Sequence, residues 1–267
     1  MTEIILHPSK KEMETAAYMW SLMANTPYAF VGRIAAAMLK DVPSDTILYD
    51  HRLQIVVTSD PKEVKKRFTA AAKGESIYSQ FVTEIPDGVG GKLPVILIYG
   101  ADRRHKKHHM GIEVAFFKAG NHNFPRALTL LASDMKEPLM VEPTCYRMSL
   151  HDKYGNKVTV PMLRPRYLLF QNLLEFTSLV KETEKRQAVR DMKTFLVNAA
   201  RAVDGMPGGA YTVGEVKKMR SSIATILTYA HERLMWTTQE EVANWQVLGV
   251  NLGSSSTFTE QRRRGSI

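Results

Sequence analysis

The chain has a single cysteine, Cys145, so no internal disulfide can form, and that scarcity fits a reducing compartment. Long apolar runs are also missing. The longest, Ile34 to Leu39 and Val95 to Ile98 among them, fall far short of the roughly 20 residues that a membrane-spanning helix needs. The opening Met-Thr-Glu-Ile-Ile-Leu-His-Pro lacks the basic start, apolar stretch and small-residue cleavage site of a secretory leader. These absences lead to the expectation of a cytoplasmic protein with no membrane partner. Aromatic residues do not interleave with the basic ones as a single-strand stacking platform requires, so nucleic-acid binding would rest on charge alone and is a minor expectation.

What is present is a globular composition: 267 residues, 44% hydrophobic and 24% charged, enough for one large domain or a core with an extension. The formal charge of +9 favours an anionic partner. Much of that excess lies in Arg103-Arg104-His105-Lys106-Lys107-His108-His109 and in Arg262-Arg263-Arg264. Both read as solvated segments, a loop and a tail, which is the usual role of charge runs.

Apolar residues at three- and four-residue spacing, Met13, Ala16, Ala17, Trp20 and Met23, predict a first helix. After Pro27, Tyr28 to Val31 reads as a buried strand that stops at Gly32, and Ile34 to Leu39 as a helix. Leu53 to Val57 is a second strand, followed by a helix through Val64, Phe68 and Ala71 with Pro61 in its first turn. Tyr78 to Ile85, Val95 to Tyr99 and Ile112 to Phe117 are further strands. Met140 to Leu150 and Lys157 to Val160 read as a hairpin turning at 152–156. From Pro165 the periodicity becomes helical. Leu168, Leu169, Leu173, Phe176, Leu179 and Val180 form one face; Val189, Met192, Phe195, Leu196 and Val203 a second; Ile223, Leu227, Ala230 and Leu234 a third. The expected class is α/β (α+β), a mixed sheet with a C-terminal helical layer. The expected divisions are an α/β core over 1–162, a helical extension over 163–251 and a tail without fixed structure over 252–267.

Two stretches together resemble the small nucleotidyltransferase-fold proteins of fungi and bacteria. Phe30-Val-Gly32-Arg33-Ile-Ala-Ala-Ala-Met-Leu39, followed by Leu53-Gln54-Ile-Val-Val57, is similar to the family's glycine turn, its helix, and the strand that carries an Asp-x-Asp pair. Val160-Pro-Met-Leu163-Arg-Pro165 is similar to the Leu-x-Pro motif that opens a later helix, and Gly111 to Gly120 to the strand with the third carboxylate. In that family clustered carboxylates hold a divalent metal against nucleotide phosphates. The resemblance puts Arg52 and Gln54 at the Asp-x-Asp positions and Ala115 at the third, while Arg33 replaces a small turn residue and Asn172 stands where many relatives carry lysine. A slip of two residues would make Asp50 the first carboxylate but leave Arg52 at the second, so the metal site is broken in either register. The resemblance thus implies the fold with no metal and no cofactor, in a protein that does not transfer nucleotides.

If strand alternation holds, Glu113 shares a face with Ala115 and Phe117, and Arg52 with Gln54. The leading expectation is a pseudoenzyme whose cleft, lined by Gly32, Arg33, Gln54 and Asn172, binds a small anionic or organic molecule or a partner. A second is a metal-independent isomerase, cyclase or lyase, in secondary metabolism for example, with Glu113 and Arg52 as its acid–base pair. A third is a basic nucleic-acid-binding protein. The alternative for Glu113 and Arg52 is a plain ion pair. His105-x-x-His108-His109 offers too few ligands from fixed elements for zinc. Cys145 reads as a small buried strand residue rather than a nucleophile.

Overall fold

The computed structural model describes residues 27–39, 52–72, 78–86, 92–99, 112–120, 144–151, 155–203, 210–235 and 238–252. The helix expected around Met13 to Met23, the basic run 103–109 and the tail from Gly253 lie outside them. Two compact units divide the chain, Met1–Gln171 and Asn172–Ile267.

In the first unit seven strands form one mixed sheet in the order β3-β4-β5-β2-β1-β7-β6. They are β1 Tyr28–Val31, β2 Arg52–Val57, β3 Tyr78–Pro86, β4 Lys92–Tyr99, β5 Ile112–Lys118, β6 Cys145–His151 and β7 Lys157–Leu163. β1 runs antiparallel to β2 and parallel to β7, and β2 runs parallel to β5. Strands buried on both faces must be apolar throughout, and β1 is: Tyr28, Ala29, Phe30 and Val31 are all fully buried. In β5, Val114, Ala115, Phe116 and Phe117 are buried in succession for the same reason. The hairpin of β6 and β7 keeps register from Cys145 opposite Leu163 to His151 opposite Lys157, and Cys145 is buried within it.

Helix α1 (Gly32–Leu39) follows β1 directly, and its alanine-rich sequence buries Ile34, Ala35 and Ala36. Helix α2 (Pro61–Ala72) starts as its sequence predicts, with Pro61 at the first helical position. Asp60 caps it: its Oδ1 accepts from the Lys62 N–H at 2.8 Å, and its carbonyl accepts from Val64 at 3.0 Å.

Helix α3 (Pro165–Phe176) carries the expected buried Leu168, Leu169, Leu173 and Phe176 but not Leu179 and Val180. At its end the Thr177 and Ser178 hydroxyls donate to the Leu174 and Glu175 carbonyls, and the Ser178 N–H also bonds the Glu175 carbonyl at 2.9 Å. Val180 is 87% exposed.

The second unit is helical: α4 (Glu182–Val203), α5 (Val213–Glu232) and α6 (Gln239–Val247). Val189, Met192, Phe195 and Leu196 of α4, and Ile223, Leu227 and Ala230 of α5, are buried as the periodicity requires. Leu234 does not continue the α5 face. It lies beyond the helix end in the left-handed region (φ +57°) and is 70% exposed. The Leu234 N–H bonds the His231 carbonyl and the Met235 N–H the Ala230 carbonyl, a Schellman closure in which a left-handed residue is obligatory. The same closure ends α6, where Gly249 (φ +80°) and Val250 donate to Gln246 and Trp245. α5 and α6 both begin with a reciprocal capping box, Thr212 with Glu215 and Thr238 with Glu241.

Candidate ligand site at the start of the first helix

The turn from β1 into α1 is where the sequence-predicted residues gather. Gly32 has φ +64°, a conformation that side chains with a Cβ adopt at a cost, and it turns the chain from strand to helix within one residue. Val31 pairs with Gln54 across the antiparallel β1–β2 ladder. The Gln54 side chain therefore reaches the turn: a Cβ built on Gly32 would collide with Gln54 Oε1 and come within 2.8 Å of its Cδ. Glycine at 32 is thus favoured by the backbone, and any larger residue would also have to move the end of the Gln54 side chain aside.

On its other side β2 pairs with β5 in parallel register, Arg52 opposite Glu113 and Gln54 opposite Ala115. The strands that sequence reading treated as neighbours are neighbours. Gly32, Arg33, Arg52, Gln54 and Glu113 hence belong to one stretch of β1, α1, β2 and β5, with Gln54 half-buried at its middle. Asn172 falls in the second unit, on α3; its Oδ1 is buried without a hydrogen-bond partner among the described residues.

The first turn of α1 contains no acidic residue, and a helix N-terminus carries partial positive charge from its unpaired N–H groups. Arg33 stands in that turn, and Arg52 at the start of β2. If the sequence resemblance sets the register, a divalent metal would need carboxylate oxygens at positions 52, 54 and 115. The residues there are a guanidinium, a neutral amide already packed against Gly32, and a buried methyl group. This set does not fit Mg²⁺. Among the described residues no three His, Cys, Asp or Glu side chains come together as a metal cluster.

Sequence reading passed over Tyr28, four residues before the turn. Its ring packs edge-on to Phe30 with centroids 5.7 Å apart, and its hydroxyl is buried without a partner among the described residues. Burial pushes that hydroxyl far above the usual phenol range, so it stays neutral. No sequence signal distinguishes such a tyrosine from an ordinary strand aromatic.

A mixed seven-stranded sheet, with a glycine turn feeding a helix, defines an α/β protein. No protein-family model matches the chain, and a comparison with curated proteins finds no match. Among solved structures the chain is similar to the crystal structure of an antigenic nucleotidyltransferase-like protein from Paracoccidioides brasiliensis. The two are 14% identical with a TM-score of 0.49, over 95% of this chain and 99% of that one. No helix among the described residues is long and apolar enough to cross a membrane.

Proposed function

We propose that this chain is a nucleotidyltransferase-like protein that has lost the metal chemistry of its cleft and uses the turn at Gly32 to bind a small anionic or organic ligand. The observation that carries this reading is the packing of Gln54 on Gly32. In the family that the sequence resembles, the turn stays open to phosphates and the next strand supplies carboxylates. Here an uncharged amide lies against the turn from one of the carboxylate positions. An arginine at 52 and an alanine at 115 complete the replacement. With no anionic ligand at those three positions, a metal ion has little to hold it, whereas Arg33, Arg52 and the start of α1 can neutralise an acidic group directly.

The test is binding of pyrophosphate and citrate, with and without a chelator, by thermal shift. Binding is expected to survive the chelator and to weaken by about tenfold or more in Arg33→Ala and Arg52→Ala, the loss of one charge-assisted contact each. Binding that vanishes with the chelator would overturn the reading.

A further inference from the structure

Helix α5 in the second unit presents a face of unusual charge. Its inner face is apolar: Met219, Ser222, Ile223, Ile226, Leu227 and Ala230 are buried. Its outer face opens with Lys217, Lys218 and Arg220, all exposed. At 3.6 residues per turn Lys217 falls near the centre of that face, with Lys218 and Arg220 on its two flanks. The only acidic residues of the helix are Glu215 and Glu232, at its ends. Glu215 is held by the cap, accepting from the Thr212 N–H at 2.8 Å and from the Thr212 hydroxyl at 3.0 Å. None of the three cations makes an ion pair or hydrogen bond among the described residues. Elsewhere in the same unit Lys181, Arg186, Lys193 and Arg233 each sit within 3.5 Å of a glutamate.

The rest of the face selects the kind of anion. From Ser221 to Thr228 the exposed side chains are Ser221, Ala224, Thr225 and Thr228, which are small or hydroxyl-bearing, with His231 and Glu232 exposed at the helix end. A lipid surface calls for several bulky apolar or aromatic residues beside the basic ones, to enter the acyl boundary, and this face has one, Val213 in its first turn. A sugar–phosphate backbone calls for Lys and Arg with Ser and Thr hydroxyls and room for close approach, with no aromatic platform needed when bases are not read. We infer that the outer face of α5 around Lys217, Lys218 and Arg220 is a sequence-independent contact surface for the phosphodiester backbone of a nucleic-acid duplex.

The experiment is fluorescence anisotropy with a mixed-sequence DNA duplex and its RNA equivalent on the full chain, across a series of salt concentrations. It compares the wild type with Lys217→Gln/Lys218→Gln/Arg220→Gln and with Lys62→Gln/Lys65→Gln/Lys66→Gln on α2, which removes equal charge elsewhere. The expected result is a log–log salt slope reduced by about 3 in the α5 variant, one phosphate contact per cation, and an unchanged slope in the α2 variant. Circular dichroism checks that both stay folded; the α5 substitutions leave the cap and the buried face intact. An equal reduction in both variants, a slope unmoved in the α5 variant, or no duplex binding would overturn the inference. So would α5-dependent binding to phosphatidylserine vesicles with none to the duplex.

Discussion

At Gly32 a methyl group would meet two separate obstacles, the left-handed backbone and the Gln54 amide, and the two can be measured apart. Gly32→Ala is expected to cost about 1–2 kcal/mol from φ, with a smaller addition for moving the Gln54 amide aside. In a Gln54→Ala background the same substitution should cost only the backbone part. Equal costs in the two backgrounds, read by urea denaturation, would mean that Gln54 does not lean on the turn. Tyr28 gives a prediction of opposite sign. Its hydroxyl is buried with nothing to bond among the described residues, so Tyr28→Phe should leave the protein unchanged or stabilise it by about 1 kcal/mol. A clear loss of stability would show that the hydroxyl has a partner. Leu234 pays for a left-handed conformation that glycine adopts freely, and its side chain is mostly exposed, so Leu234→Gly should stabilise by about 0.5–1 kcal/mol in thermal unfolding.

Among the elements, α5 and α6 depend on their capping boxes. Thr212→Ala and Thr238→Ala should each cost about 1 kcal/mol, since each removes the oxygen that accepts the Glu215 or Glu241 N–H. Where the start of α4 meets the end of α5, the Tyr229 hydroxyl, with Arg233 and Arg186, holds the Glu182 carboxyl below its ordinary range. A carboxyl depressed by folding contributes stability above its unfolded value, about 4.3, and loses that contribution as pH falls through the folded one. The stability gap between wild type and Glu182→Gln should therefore be present at neutral pH and close in acid. A gap that stays constant from pH 7 to pH 3 would contradict this assignment. Element by element, the sequence was most legible where the period was unmixed. Leu53 to Val57 and Pro61 gave strand and helix start directly, because β-branched runs and proline have narrow backbone preferences. Leu179 and Val180 misled, since an apolar period carries no information about hydroxyls that bond the last carbonyls of a helix. Helix α6 went unread because it buries Trp245 alone and has no stripe to find; the signal was Thr238-x-x-Glu241 before it and Gly249 after.

At the scale of the molecule, strand order is what local pattern could not supply. β1 lies between β2 and β7, and β7 is more than a hundred residues away in sequence, so the pairing of Phe30 with Met162 is set by tertiary packing. The site was partly legible. The glycine turn, the strand after it and the strand through Glu113 could be named from residue order, and in the structure β2 lies beside both β1 and β5. The contact between Gln54 and Gly32 could not, because it depends on the ladder that sets Val31 opposite Gln54. That contact underlies the function proposed above, ligand binding at the Gly32 turn without metal-dependent nucleotide chemistry. Calorimetric titration with ATP, CTP, GTP and UTP, each with and without Mg²⁺, tests it most directly. The account predicts that Mg²⁺ confers no binding on any of the four; a nucleotide that binds only with Mg²⁺ would contradict it and return nucleotide transfer to this cleft.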